Sequence, residues 1–152
     1  MSKFKFDLKI TVKSNISGFK GIIVARSENL HTCNRYSINP VVDKSGKIPQ
    51  AWWFDEEELV IVNDKNKISK EPIFKYDMGV KAKSDLTEFK GIITARLDHV
   101  NGCNRYFINP VVNKEGELVD GTWFDEDDII ILEKKKRPRK NKDRGGFPNQ
   151  LK

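Results

Sequence analysis

Residues that support catalysis or bind metal ions are scarce in this 152-residue chain. It contains only two cysteines and two histidines, and no group of them has the spacing of metal ligands. A phosphate-binding glycine loop and a serine nucleophile motif are missing as well. These absences predict a protein that is not an enzyme and has neither a cofactor nor a bound metal.

Long apolar segments are missing too. No run of apolar residues is long enough to cross a bilayer, and the N-terminus does not have the pattern of a signal peptide. We therefore expect a soluble protein of the cytoplasm that does not associate with a membrane.

What the chain contains instead is one sequence present twice. Residues 6–62 align with residues 76–132 without a gap, and 26 of the 57 aligned positions are identical. Two copies are too few for a solenoid, which needs about three units. We therefore expect two small domains with separate cores, and no disulfide between the equivalent Cys33 and Cys103. Units of about 60 residues are near the lower limit for independent folding, so the copies should rest on each other or on a partner.

The positive charge is concentrated at the C-terminus. The whole chain has a net charge of +6, but residues 133–152 hold nine Lys and Arg against two acidic residues, a net of +7. The first 132 residues hold 19 basic and 20 acidic residues and are nearly neutral. The folded part therefore lacks the overall basic character of a nucleic-acid-binding domain.

Each copy contains five short strand patterns and almost no helical periodicity. Apolar and polar residues alternate in the first pattern, as in a strand with one buried face. A possible single helical turn at Asp55–Glu58 precedes the last strand, and Lys44–Lys47 has the composition of a hairpin turn. The strand patterns of the first copy are Phe6–Val12, Phe19–Arg26, Cys33–Val42, the segment around Trp53-Phe54, and Leu59–Val62.

This order predicts an all-β protein of two tandem SH3-like small β-barrels, with a five-stranded OB-type barrel as the nearest alternative. The expected division is repeat one at 1–66, a linker at 67–75, repeat two at 76–133 and a basic, flexible tail at 134–152. Few apolar residues and several Pro and Gly predict that the tail is disordered unless it is bound.

Arginines beside aromatic residues form the candidate ligand site. This combination suits planar or phosphorylated ligands, which it binds through bidentate hydrogen bonds and stacking. In the alternative, the aromatic side chains fill the cores, and Arg35 and Arg105 form structural ion pairs with Asp55 and Asp125. The candidate ligand-binding residues are Arg26, Arg35, Tyr36 and Trp53 in the first copy and Arg96, Arg105, Tyr106 and Trp123 in the second.

Two further features have competing explanations. Neighbouring side chains of a strand point to opposite faces, so one of Trp53 and Phe54 should be buried and the other exposed. The carboxylates of Asp55–Glu58 and Asp125–Asp128 are suited to a divalent cation, but a solvated helix start explains them more simply.

The tail offers a second kind of binding surface. Its basic residues suit phosphates or an acidic protein surface, although a purely solubilising extension is an equal alternative. A single aromatic residue in this polar segment suggests an anchor that becomes ordered on binding. The candidate partner-binding residues of the tail are Lys136, Arg137, Arg139, Arg144 and Phe147.

The combined motifs resemble short uncharacterised proteins of bacteriophages and mobile elements. The shared pattern is Gly-Phe-x-Gly-Ile-x-x-Ala-Arg, Cys-x-Arg-Tyr, Trp-Phe-Asp-Glu and a Gly-Gly-x-Pro tail. It is present in both copies, except that Glu88 replaces the first glycine in copy two and the Gly-Gly-x-Pro sequence occurs once, at 145–148. The resemblance implies SH3-like barrels and a viral accessory role.

Three functions are therefore expected from the sequence. The first is a non-enzymatic counter-defence protein of the host bacterial cytoplasm, which blocks a host protein or sequesters a nucleotide-like ligand. The second is a nucleic-acid-binding protein that uses the tail. The third is a structural or assembly component of a virion, and a homo-oligomer is compatible with each of them.

Overall fold

The computed structural model describes residues 4–40, 44–47, 50–62 and 70–133. Within these ranges the chain forms ten β-strands, two short 3₁₀ turns and no α-helix, so the prediction of an all-β protein is confirmed. The described ranges contain no helix of the length and apolar character that a bilayer span requires.

The two copies have the same order of elements. The first copy comprises β1 (Thr11–Ser14), β2 (Lys20–Asn29), β3 (Arg35–Asn39), β4 (Trp52–Asp55), a 3₁₀ turn (Glu56–Glu58) and β5 (Leu59–Ile61). The second comprises β6 (Lys81–Ser84), β7 (Lys90–His99), β8 (Arg105–Asn109), β9 (Thr122–Asp125), a 3₁₀ turn (Glu126–Asp128) and β10 (Ile129–Glu133). All pairings are antiparallel, in the order β5-β1-β2-β3-β4 and its equivalent β10-β6-β7-β8-β9.

The first predicted strand is wrong in its N-terminal half. The strand begins at Thr11 and not at Phe6, because the backbone turns at Lys9, which has a positive φ of 71°. The alternating pattern before this point has another cause. Phe4 and Phe6 are buried because both pack edge-on against the ring of Tyr36.

Each copy has its own apolar core. The first core is centred on Val12, Ile23 and Ile38, and the second on their equivalents. Phe74 packs against both cores, and the backbone N–H of Lys75 donates to the hydroxyl of Tyr106 at 3.0 Å. Residues 74 and 75, which the sequence assigned to the linker, are therefore packed with the second copy.

A bulge and a close backbone approach shape the long strand β2. The register with β3 shifts between Ile23 and Ala25, and an extra residue of this kind re-aims the side chains that follow it. A Cβ at Gly21 would clash with the carbonyl oxygen of Asn39, so glycine is needed where the two backbones meet. The second copy repeats both features.

The two copies are joined by a continuous strand pairing. The C-terminal half of β2 pairs with that of β7, from Ala25 opposite His99 to Asn29 opposite Ala95. Two further backbone hydrogen bonds, Leu30 to Thr94 at 2.8 Å and Val100 to Val24 at 2.9 Å, flank this segment. The copies therefore do rest on each other, about a pseudo-two-fold axis that passes between Ser27 and Leu97.

Candidate functional site

Two of the eight candidate ligand residues, the equivalent tyrosines, lie inside the cores. Tyr36 is fully buried, and its hydroxyl accepts the backbone N–H groups of Lys5 and Phe6 and donates to Glu56. Tyr106 repeats this arrangement with Glu126. Burial and the hydrogen bond to the glutamate raise the pKa of each phenol above its ordinary value. These tyrosines hold the segment before β1 or β6 in place, so we leave them out of the candidate site.

Arg26 is buried at the junction between the copies. Its guanidinium, 2% exposed, pairs with Asp98 of the second copy through Nε at 3.0 Å and Nη2 at 2.9 Å. It also donates to the backbone carbonyls of Phe6 at 2.9 Å and Lys70 at 2.7 Å, and it stacks over the ring of Phe4. All these partners belong to the protein, so the arginine is committed to the junction.

Arg96 makes the reciprocal contacts. It pairs with Glu28 of the first copy at 3.0 Å, donates to the carbonyl of Tyr76 at 2.8 Å and stacks over Phe74. Its Nε is buried without a hydrogen-bond partner among the described residues. Both arginines therefore join the copies, and we leave them out of the candidate site.

The opposite face of the joined sheet carries the remaining candidates. Directly opposed residues of antiparallel strands share a face, so the strand registers define one row across six strands. We call this row the central row and the surface around it the shared face. From β4 to β9 the central row consists of Asp55, Arg35, Ser27, Leu97, Arg105 and Asp125.

Arg35 and Arg105 form ion pairs within the central row. The Nε of Arg35 donates to Asp55 at 2.9 Å, and that of Arg105 donates to Asp125 at 3.0 Å. The predicted ion-pair alternative is thus present, but both pairs are exposed, with the Arg35 side chain 47% accessible. No described residue accepts a hydrogen bond from the terminal nitrogens of either guanidinium. These nitrogens are available for an anion.

The two tryptophans lie on the same face. Trp53 is opposite Ser37 and Trp123 is opposite Phe107. Each pair lies two residues along its strands from a pair of the central row, so the tryptophans lie on the same face as that row. Trp53 is 38% exposed, whereas Phe54 packs against the first core. The expected split between these neighbours is confirmed, and the tryptophan is the exposed residue.

Three of the predicted residues meet in one cleft. Arg35, Trp53 and Trp123 line it together with Ser27 and Asn29, and its volume is about 200 Å³. Four of these residues come from the first copy and Trp123 comes from the second. The cleft exists only because the β2–β7 pairing brings the copies together.

The residues on the shared face differ between the two copies. Phe107 of the second copy packs edge-on against Trp123, with ring centroids 5.3 Å apart. The equivalent of Phe107 in the first copy is Ser37, which is 7% exposed and does not line the cleft. Phe107 is accommodated by Gly121, where a Cβ would clash with its ring; the first copy has Ala51 there. The polar residues of the cleft are Ser27 and Asn29, and the second copy has Leu97 and His99 at the equivalent positions.

The acidic clusters have partners within the protein. Asp55 pairs with Arg35, Glu56 accepts from Tyr36, and Glu58 accepts the hydroxyl of Ser14 at 2.7 Å. The described residues contain no group of three metal-ligating side chains that could hold an ion. Each 3₁₀ turn starts directly after Asp55 or Asp125, although neither aspartate caps it through its side chain.

Sequence reasoning missed Ser27 and Asn29. The sequence did contain an indication of their role, since these residues lie in a strand that the two copies share and yet differ from their equivalents, Leu97 and His99.

Cys33 and Cys103 are free and exposed. The candidate tail residues lie outside the described part of the chain.

Comparison of this chain with protein-family models, with curated proteins and with solved structures gives no match.

Proposed function

We propose that this protein is a phage-type accessory binding protein built from two SH3-like units, which captures a nucleotide-like ligand on the shared face. It acts in the cytoplasm of the bacterial host without catalysing a reaction. Its counter-defence role is to sequester that ligand from the host.

One observation carries the proposal. The sequence predicts Arg35, Trp53 and Trp123 as ligand residues from their chemistry alone, and all three line the same 200 Å³ cleft. Tryptophan rings stack on planar groups, and a guanidinium binds phosphate in a bidentate manner. A cleft with both is suited to a planar group that carries an anion.

The five-strand order of each copy, with a 3₁₀ turn before the last strand, supports the SH3-like part of the proposal. The duplication supports a site made jointly by both units, since the cleft draws residues from each.

Binding of nucleoside monophosphates, followed by tryptophan fluorescence and calorimetry, tests this function. Trp53→Ala should weaken binding by roughly 5- to 150-fold, because loss of one base-stacking side chain costs about 1–3 kcal/mol. The matched control is Trp52→Ala. Trp52 is 55% exposed and adjacent, but it is opposite Ile38 and therefore points away from the shared face.

A second variant separates binding from stability. Arg35→Ala combined with Arg105→Ala should remove binding and leave the melting temperature nearly unchanged, because exposed ion pairs contribute about 0–1 kcal/mol. If no nucleotide binds, or if Trp52→Ala and Trp53→Ala weaken binding equally, the shared face is not the ligand site.

The charge of the tail favours nucleic acid as a second candidate partner, since residues 133–152 have a net charge of +7. In that case affinity should fall steeply with salt, because each phosphate contact releases counterions, and removal of residues 134–152 should abolish binding. Binding that is insensitive to salt and survives the truncation would argue for the shared face alone.

A further inference from the structure

We propose that the cleft is an adenine site, which holds one adenine ring per chain between Trp53 and Trp123, with Asn29 reading its edge and Arg35 binding its phosphate. This inference rests on the proposed function and specifies the chemical class of its ligand. The adenosine monophosphate group is the shared chemistry, whether it belongs to a free nucleotide or to an unpaired residue of a single strand.

The size of the cleft limits what can enter. Its volume of about 200 Å³ lies below the range of about 300–1,000 Å³ that is usual for sites enclosing a drug-sized ligand. Only a ring-sized group is therefore enclosed, and the sugar and phosphate remain at the rim. Arg35 provides its exposed terminal nitrogens there, since only its Nε is occupied by Asp55.

Asn29 supplies the polar specificity of the cleft. One amide N–H donates to the carbonyl of Cys33 at 3.0 Å, and the amide oxygen receives only a long hydrogen bond of 3.4 Å from the hydroxyl of Ser27. One N–H and most of the acceptor capacity therefore remain for a ligand. An amide that offers a donor and an acceptor side by side pairs with the N6 and N7 atoms of adenine. Guanine presents two acceptors at the corresponding edge and does not match.

The difference between the copies limits the site to one ligand. The cleft has Ser27 and Asn29 on its polar side, whereas the second copy has Leu97 and His99 at the equivalent positions. The joined sheet is pseudo-symmetric, but the amide that reads the ring is present only in the first copy.

The experiment compares AMP, GMP, CMP and UMP by calorimetry on the full chain. AMP should bind with one molecule per chain and be favoured by roughly 5- to 150-fold, the discrimination that a bidentate amide–base contact gives. Asn29→Asp should remove this preference, because a carboxylate has no donor. A short single-stranded oligoadenylate is measured in parallel: tighter binding of the oligomer identifies a strand as the source, and tighter binding of AMP identifies a free nucleotide.

A transplanted pair of residues tests the position of the site. Ser27→Leu with Asn29→His gives the first copy the residues that the second copy has at these positions and should abolish AMP binding. Trp52→Ala alone is the control and should retain it. Thermal melting checks that both variants fold.

Four outcomes would overturn the inference. Equal affinity for the four nucleotides, or two molecules bound per chain, would refute the adenine site and leave the proposed function standing. Retained binding in the folded double variant would move the site elsewhere. Failure of every nucleotide to bind would refute the proposed function as well.

Discussion

Removal of Asp98 should destabilise the protein far more than removal of Asp125. Both aspartates accept a hydrogen bond from an arginine Nε at 3.0 Å, and Asp98 accepts a second one from Nη2 of Arg26 at 2.9 Å. They differ in burial, since the side chain of Asp98 is 10% exposed and that of Asp125 is 70% exposed. The comparison therefore sets a buried pair with two hydrogen bonds against an exposed pair with one.

The magnitudes follow from this difference. Asp98→Ala leaves the guanidinium of Arg26 buried without its carboxylate, and breaking a buried pair in this way costs about 3–5 kcal/mol. The carbonyls of Phe6 and Lys70 and the more distant Asp7, at 3.8 Å, remain and favour the lower end of this range. Asp125→Ala should cost about 0–1 kcal/mol, because water screens an exposed pair.

Urea denaturation measures both variants, since the unfolding free energy extrapolates linearly from the denaturant dependence. In thermal melting, a loss of 3–5 kcal/mol corresponds to a decrease of about 6–20 °C for a chain of this size. Equal effects of the two substitutions would show that the β2–β7 junction does not depend on its buried ion pairs. An unchanged midpoint with a smaller slope would instead indicate that the junction opens before the cores unfold.

Three further predictions follow from the fold. Residues 1–66 expressed alone should form a homodimer, because β2 then offers its open edge to a second copy and Arg26 faces Glu28 of the other molecule. A monomer in sedimentation equilibrium would contradict this prediction. Stability should fall above about pH 10, by about 1.4 kcal/mol per pH unit for each buried tyrosine, because the unfolded state releases the phenol protons first. A variant with phenylalanine at positions 36 and 106 should lose this dependence of the unfolding free energy on pH, as measured in urea titrations. Lys9→Gly should raise the melting temperature, because Lys9 has a positive φ of 71° and the second copy has a glycine at that position. The substitution relieves about 1–2 kcal/mol of backbone strain. The greater freedom of glycine in the unfolded chain offsets part of this, so the expected gain in stability is about 0.5–1 kcal/mol.

Local patterns were sufficient for the strands and for part of the site. Short apolar segments separated by turn residues predicted the all-β character, and strand alternation predicted that Trp53 and Phe54 face opposite ways. The exposure of Arg35 was also consistent with the rule that arginine is rarely buried without a partner. These features depend on neighbours that are close in sequence.

The junction could not be predicted in the same way. Arg26 has the same sequence context as a surface ligand residue, but its partner Asp98 lies 72 residues further along the chain. The segment from Ala25 to Asn29 is polar, so nothing in its composition marks it as a strand that pairs with another copy. The cleft depends on this pairing, and Ser27 and Asn29 acquire their role only when Trp123 is brought beside them.

The differences between the two copies are the strongest argument that the shared face is a site and not simply a surface. Two identical copies would create two equivalent half-clefts about the pseudo-two-fold axis. Here the second copy carries a matched pair of changes, because the ring of Phe107 fits only where Gly121 lacks a Cβ. The cleft is lined by Ser27 and Asn29 of the first copy, and the second copy has Leu97 and His99 at the equivalent positions. A duplication that retains the frame on both sides but has the polar residues on only one side is what a single, asymmetric ligand requires.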